Sequence, residues 1–309
     1  MSEKKKVVVI MGPTAVGKTA LSIHLAKKYQ GEVINGDSLQ VYRHLDIGTA
    51  KVTPEEMAGV PHHLIDIVDL HEPYTASDFK KAAELAIAAI HKKGKLPILV
   101  GGSGLYIQGL LYDMKFGQGG EDRDYRRKLE IELVEKGADG LWSQLEAIDP
   151  QAAANIHPNN SRRVVRALES IHVSGKPFSS QTDSVKTSKY NALLIALNSD
   201  RQILYNRINQ RVDQMVETGL LEEAKVLYEL ADRDLNQAHK GIGYKEWFPY
   251  FSGEISFEEA LENVKQNSRR YAKRQLTWFR NRMKAVHWFD VSNDDYLEKV
   301  EQLIEDFRK

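Results

Sequence analysis

Gly12-Pro13-Thr14-Ala15-Val16-Gly17-Lys18-Thr19 is preceded by the apolar run Val7-Val8-Val9-Ile10 and followed by Leu21, Leu25 and Ala26 at helical spacing. This is G-x-x-x-x-G-K-[ST] set between a strand and a helix, the context in which the pattern holds phosphate. The glycines let successive N–H groups turn inward around phosphate oxygens. The helix N-terminus adds partial positive charge at the same point. Lys18 can reach a terminal phosphate, and the Thr19 hydroxyl suits Mg²⁺ or a phosphate oxygen. Gly12, Thr14, Ala15, Val16, Gly17, Lys18 and Thr19 are therefore the expected phosphate-binding residues. An ordinary glycine turn would not need Lys-Thr at its end. The loop specifies a bound phosphate chain and leaves open which bond is broken.

Working outward, Gly31-Glu32-Val33-Ile34-Asn35 reads as a second strand that delivers Gly36-Asp37-Ser38-Leu39-Gln40-Val41-Tyr42 to its C-terminal end. Ligands bind at that end of parallel α/β sheets. Asp37 is thus a carboxylate near the phosphate loop, and it reads either as a helix cap or as a metal-holding acid. Lys95-Leu96-Pro97-Ile98-Leu99-Val100 is a buried-type strand opening into Gly101-Gly102-Ser103-Gly104. A second glycine turn in this place aims the Ser103 hydroxyl into the same cleft, or is simply a tight turn. Between these strands, Thr75 or Ser77 caps an alanine-rich helix that ends near Lys93-Gly94.

The segment from Pro61 to His71 holds His62, His63, His71, Asp66 and Asp69, a set that superficially resembles a metal cluster. Asp66 and Asp69 fall in an apolar alternation that reads as a strand or its edge. On such a strand the adjacent His62 and His63 would point opposite ways. A transition-metal site is therefore not expected.

From about Phe116 the texture changes. Gly117-Gln118-Gly119-Gly120 reads as a flexible link, and the following stretch is mostly helical and highly charged. Ser161-Arg162-Arg163-Val164-Val165-Arg166 opens a helix with three arginines in its first two turns. Cations are disfavoured there, so the pattern points to an anionic partner or to a solvated face. Ala192-Leu193-Leu194-Ile195-Ala196-Leu197 returns to a buried strand. Arg207 and Arg211 follow on one helical face, placed to clamp phosphate oxygens or to pair with Glu222 or Glu223. Lys240-Gly241-Ile242-Gly243-Tyr244-Lys245 is another glycine-marked turn. Seven basic residues lie between 269 and 284, interleaved with Tyr271, Trp278 and Phe279. That stripe suits a phosphate backbone, with the aromatics more at home in core packing.

The expected fold is α/β: a P-loop NTPase-like parallel sheet flanked by helices, formed by residues 1–115 and 191–309. A mostly helical insertion domain, 116–190, interrupts it. The 309 residues allow two domains. Forty-three basic and 43 acidic residues cancel, so any nucleic-acid surface must be a local patch. With no cysteine, disulfides, thiolate metal sites and a cysteine nucleophile are excluded. No stretch approaches the ~20 apolar residues of a membrane span, and the N-terminal apolar run is too short for a signal sequence. A cytoplasmic protein is expected.

Taken in order, Gly-Pro-Thr-Ala-Val-Gly-Lys-Thr at 12–19, Asp-Ser-Leu-Gln-Val-Tyr at 37–42, Pro-His-His-Leu-Ile-Asp at 61–66, Gly-Gly-Ser-Gly-Leu-Tyr at 101–106, Arg-Val-Val-Arg-Ala-Leu at 163–168 and Lys-Arg-Gln-Leu-Thr-Trp-Phe-Arg at 273–280 resemble one family. That family is the bacterial tRNA dimethylallyltransferases. The resemblance runs from about residue 7 to 290. It implies transfer of the dimethylallyl group of dimethylallyl diphosphate to the N6 amine of an adenine 3′ of the anticodon, in tRNAs reading codons that begin with U. The loop would then cradle a diphosphate, with Mg²⁺ as cofactor and Thr19 as its ligand. Asp37 would be the general base, and Ser103 would lie near the adenine. Lys18, Thr19, Arg207 and Arg211 would stabilise departing pyrophosphate. Ser38, Leu39 and Gln40, with Asp37, would contact the tRNA, as would Arg126, Ser161, Arg162, Arg163, Val164, Val165 and Arg166. The expected partner is the anticodon stem-loop, and the expected state a monomer. The missing cysteines fit the bacterial form rather than eukaryotic relatives with a C-terminal zinc finger.

A nucleotide kinase shares the loop, the sheet and an arginine-bearing lid, but would leave the basic helix unexplained. An adenylate isopentenyltransferase shares the chemistry but needs no grip on tRNA. A non-catalytic RNA-binding module would have no use for Lys18, Thr19 and Asp37 together.

Overall fold

The computed structural model describes residues 4–114, 122–181, 187–230 and 237–309. The Gly117–Gly120 link lies outside them. The chain forms two compact units, Met1–Tyr112 with Thr187–Lys309, and Asp113–Lys186.

In the first unit the strands are β1 (Lys6–Met11), β2 (Gly31–Asn35), β3 (His62–His63), β4 (Leu96–Gly101), β5 (Asn191–Asn198) and β6 (Val286–Asp290). Its helices are α1 (Lys18–Tyr29), α2 (Pro54–Met57), α3 (Ala76–Lys92) and α4 (Gly104–Leu111) before the second unit. That unit holds α5 (Arg123–Ile148), α6 (Pro150–Ala154) and α7 (Ser161–Ser174). The first unit resumes with α8 (Arg201–Glu217), α9 (Leu220–Glu229), α10 (Phe248–Phe251), α11 (Phe257–Arg282) and α12 (Tyr296–Arg308).

The six strands form one sheet in the order β3-β2-β4-β1-β5-β6, every pair parallel. Parallel strands must be joined by crossovers, and the crossing helices cover both faces. Strand β1 shows the result: Val7 through Met11 are fully buried, without polar alternation. Val7, Val9 and Met11 pack towards α3, α4, α9 and α11. Val8 and Ile10 pack towards α1, α8 and α12. The strand order reverses at β1, which has β4 on one side and β5 on the other. A crevice opens at the carboxyl ends of strands at such a switch point.

One expectation is corrected, and one pair of alternatives is decided. The alternation after His63 forms no strand, because Leu64 (φ 64°) and Asp66 (φ 53°) are left-handed and turn the chain. Asp66 pairs at 2.5 Å with Lys51, whose side chain is buried beneath it, and Asp69 pairs with Arg43 at 2.7 Å at the surface. The helix near 76 begins as a capping box, with Thr75 accepting from Asp78 N and Asp78 from Thr75 N. Ser77 is inside the helix rather than its cap. Among the described residues no helix is long and apolar enough to cross a membrane.

The second unit has its own core of Leu129, Leu141, Leu145, Ile156, Val164 and Leu168, with Trp142 against it. Helix α5 is broken at Gly137 (φ 73°).

At the carboxyl end of the sheet β2 and β4 converge so closely that a Cβ on Gly101 would lie 2.3 Å from the Gly36 carbonyl oxygen. That obstacle is backbone and cannot swing away. Gly101→Ala is expected to lower stability by about 1–3 kcal/mol or more, read as a lower urea midpoint at unchanged m-value.

Candidate active site

A cleft of about 650 Å³ opens at the carboxyl end of the first unit's sheet, walled by Thr14–Thr19, Asp37–Gln40, Gly48–Ala50, Lys240–Gly243 and side chains of α8 and α11. The phosphate loop forms its floor. Gly12 (φ 152°) leaves no room for a side chain, since a Cβ there would stand 2.7 Å from Leu197 O. Gly17 (φ 98°) caps α1 in a left-handed conformation, without a side-chain cap. The first N–H groups of the helix therefore stay open to an anion in the cleft. In the loop ahead of the helix, Thr14 N–H is already taken, donating to Gln275 Oε1 at 2.9 Å. Lys18 Nζ bends back to the Pro13 carbonyl at 2.7 Å. Lys18 stays partly open to solvent, yet the protein around its ammonium lowers its pKa to about 8; Arg211 adds to the drop and Asp37 opposes it.

Asp37 leaves the end of β2 through a turn and caps no helix. Its N–H donates to Asn35 Oδ1 at 3.0 Å, and its Oδ1 accepts Leu39 N–H at 2.8 Å. Burial raises its pKa, with the Leu39 N–H, the Lys18 charge and the Gln40 N–H working against the rise. A partly desolvated carboxylate coupled to the phosphate-loop lysine is what a base needs, since the raised proton affinity makes it a better acceptor. Ser103 does not line the cleft. Its hydroxyl accepts Ser38 N–H at 3.2 Å, holding the Asp37 loop from behind.

Two residues on α11 complete this wall: Tyr271, which the sequence reads as an aromatic more at home in core packing, and Gln275, which it gives no role of its own. Gln275 is buried, and its Nε2 donates to Gly102 O at 3.1 Å. Tyr271 lines the cleft one turn earlier. Burial and the Asp37 charge raise its pKa, while hydrogen bonds with Ser103 and Gln275 act the other way. The aromatics of the basic helix thus divide: Phe279 is core, Trp278 packs on Gly104, and Tyr271 faces the cleft.

The opposite wall hangs on Glu223. Its carboxylate accepts Asp46 N–H (2.8 Å), Ile47 N–H (2.9 Å), Gly48 N–H (2.9 Å) and the Tyr244 hydroxyl (2.5 Å). Glu223 is thereby committed to the 46–48 turn, and among the described residues it forms no ion pair with Arg207 or Arg211. The glycine-marked turn at 240–243 joins the cleft through buried Glu246, which accepts Gly243 N–H at 2.9 Å and Asn267 Nδ2–H at 3.0 Å.

The arginine pair on α8 does not arrive together. Both arginines are exposed; Arg211 lines the cleft, with its pKa lowered by its surroundings against the pull of Glu56, and Arg207 is not part of the lining. In the second unit Arg126 (2.7 Å) and Arg166 (2.9 Å) both bind Glu169, whose side chain is fully buried. Val164 and Val165 are buried in that unit's core. Arg162 and Arg163 are exposed at the start of α7, beside half-buried Ser161. On α11, Arg270, Lys273, Arg274, Arg280 and Arg282 are exposed, whereas Arg269 is tied to Asn209 and Glu262. His63 binds the buried Glu32 at 2.7 Å and His62 the Val60 carbonyl at 2.8 Å, so the histidine pair is not brought to one metal. Asp69, His71 and Glu72 lie close enough to share an ion, at the surface and outside the cleft.

A family model described as IPP transferase matches residues 40–282. A tRNA dimethylallyltransferase of Geobacillus thermodenitrificans is 53% identical over 301 residues, 97% of this chain and 95% of that protein. One from Bacillus subtilis is 53% identical over 290 residues, 94% and 92% of the two chains. Among solved structures, a full-length tRNA isopentenylpyrophosphate transferase from Bacillus halodurans aligns with a TM-score of 0.73 at 50% identity, over 98% and 97% of the chains. A eukaryotic dimethylallyltransferase acting on tRNA gives 0.83 at 34% identity, over 98% of this chain and 79% of that one.

Proposed function

The chain belongs to the IPP transferase family and is a tRNA dimethylallyltransferase, and from that premise we propose that its cleft joins dimethylallyl diphosphate to the N6 amine of the adenine 3′ of the anticodon, in tRNAs reading codons that begin with U. The observation that supports this site assignment is that Lys18 and Asp37 stand in one cleft, close enough to shift each other's proton affinity. A diphosphate anchor and a base are thereby set at opposite ends of one bond exchange.

The N6 nitrogen attacks C1 of the dimethylallyl group, the C1–O bond breaks, and its electron pair leaves with pyrophosphate. The proton released from N6 passes to Asp37. An aromatic amine is a weak nucleophile, so a carboxylate that takes up its developing positive charge acts where the barrier lies. The open N–H groups of the loop, Lys18 and Arg211 meet the charge that grows on the leaving oxygens. Arg207, one turn earlier on the same face of α8, extends that positive field from the exposed side. Val33, Val52, Ile65, Val212 and Met215 give the cleft an apolar wall for the prenyl group. Excluding water there protects an allylic cation-like carbon from hydrolysis.

Thr19, a neutral hydroxyl oxygen lining the cleft beside the phosphate loop, would hold Mg²⁺. Bound there, the ion would neutralise charge on the diphosphate. For the tRNA, the exposed Arg162 and Arg163 and the exposed cations of α11 suit the phosphate backbone, and Ser38 to Gln40 suit the flipped nucleotide. Arg126 and Arg166 hold the second unit's core at Glu169 and support the proposed RNA-facing surface through it. Val164 and Val165 support Arg162 and Arg163 from beneath. The protein is proposed to act in the cytoplasm as a monomer.

Radiolabelled dimethylallyl diphosphate, offered with an anticodon stem-loop bearing adenine 3′ of the anticodon, should label the RNA. Asp37→Ala should reduce that transfer ~10²–10⁴-fold. Label on AMP in preference to the RNA would overturn the acceptor assignment.

The free enzyme's kcat/KM should be bell-shaped in pH. Asp37 acts ionised and its pKa is raised, so activity falls as pH drops through a value above the ordinary carboxylate range. Lys18 acts charged, so activity falls as pH rises through about 8. Lys18→Arg should move the alkaline limb upward, because guanidinium stays protonated.

A further inference from the structure

Gln40 lines the cleft three residues after Asp37, and its side-chain amide is held in one orientation. Nε2 donates to Thr49 O at 3.0 Å and to Ala50 O at 3.2 Å. Carbonyl oxygens only accept, so the atom that meets both must be the nitrogen, and its two hydrogens are spent on them. The receiving turn is itself braced. Glu223 holds the N–H groups of residues 46–48, and Thr49 Oγ1 donates to Leu45 O at 2.6 Å. Oε1, on the other arm of the same planar amide, is turned away from those carbonyls. Among the described residues no donor meets it, and it is not sealed from solvent.

Glutamine ordinarily reads adenine with both ends, taking an N6 hydrogen on its oxygen and giving one to N7. Gln40 has no hydrogen left to give, so it can recognise only a donor. An adenine that presents N6 to Asp37 brings two hydrogens on that nitrogen. One goes to the carboxylate, whose Oδ1 already takes Leu39 N–H at 2.8 Å. The second is stripped of water in the cleft, and leaving it unpaired would cost binding. The fixed Oε1 is the acceptor that the same short segment offers it.

We propose that Gln40 is the second acceptor for the exocyclic amine of the target adenine, so that Asp37 and Gln40 hold one N6 hydrogen each. The proposal deepens the preceding one and rests on adenine being held at Asp37. It makes the site select an amine over a carbonyl at purine C6. A guanine or hypoxanthine would set its O6 against two acceptor oxygens with no hydrogen between them. It also fits the bond exchange. Asp37 takes the proton that leaves N6, and the hydrogen that stays on the prenylated nitrogen is the one on Gln40. Gln40 touches the base and moves no proton.

The test is equilibrium binding of stem-loops that carry adenine, purine, hypoxanthine or 2′-deoxyadenosine at the target position, to wild type, Gln40→Met and Gln40→Leu. Wild type should bind adenine best, purine less well and hypoxanthine least. In both variants the preference for adenine over purine should shrink about tenfold, the size of one neutral hydrogen bond. The preference for purine over hypoxanthine should shrink with it, while the KM for dimethylallyl diphosphate stays as in wild type. Variants that weaken all these RNAs by one common factor would reduce Gln40 to a brace for the turn and overturn the proposal. A variant that loses instead the discrimination against the 2′-deoxy nucleotide would assign Oε1 to the ribose hydroxyl and overturn it too. So would a wild type that binds hypoxanthine RNA as well as purine RNA, an outcome read without any variant. Failure of wild type to prenylate the adenine stem-loop would instead overturn the assignment of acceptor and base.

Discussion

A single buried amide holds together the two loops on which the cleft is built. Gln275 takes a backbone N–H from the phosphate loop with one end and gives a hydrogen to the Gly102 carbonyl with the other. The helix carrying it must come very close for this to happen. A Cβ on Gly102 would lie 2.1 Å from Gln275 Nε2, and one on Gly104 2.2 Å from Trp278 Cδ1. Gly102 and Gly104 are thus the receiving surface for α11 as well as a turn. Losing the amide would leave the buried Gly102 carbonyl unpaired, at about 1–3 kcal/mol, and the part-buried Thr14 N–H at a smaller cost. It would also free the phosphate loop from the wall that bears Tyr271 and, through Ser103, the Asp37 segment. Floor and wall are one object because of that side chain.

What the sequence made legible and what it did not divides along the range of the interaction. The phosphate loop and the strands at 6–11, 31–35, 96–101 and 191–198 are written locally, as apolar runs too short for anything but buried strands. Asp37 was legible because it follows such a run. The strand expected after His63 was not, since nothing local announces that Leu64 and Asp66 take left-handed angles. Arg207 and Arg211 share a helical face, as spacing requires, but spacing cannot say how far along the helix the cleft extends. Arg166 read as a cation seeking an anion, and Arg126 as a tRNA contact by resemblance. They had one already in Glu169, a residue 43 positions from Arg126, and no single sequence reveals that pairing. Gln275 gave no signal among the charges around it; the small residues at 102 and 104 were the only hint that something would press against them.

The charges in the cleft are arranged so that each is uncomfortable alone. Loss of hydration among the surrounding groups lowers the pKa of Lys18 and of Arg211, itself still exposed on its outer side, and raises that of Asp37. Lys18 and Arg211 also repel each other, and Asp37 relieves only part of that strain. A diphosphate seated on the loop as proposed brings several negative charges to the two cations. Its binding would draw Lys18 towards full protonation and release the repulsion with Arg211. The same anion disfavours negative charge on Asp37 and so strengthens it as a proton acceptor. Binding energy from the diphosphate would in this way tune the base at the other end of the cleft, before the amine arrives and without any movement of the chain. The order that follows is electrostatic: the leaving group first prepares the cations that will receive it, and through them the carboxylate that will take the proton.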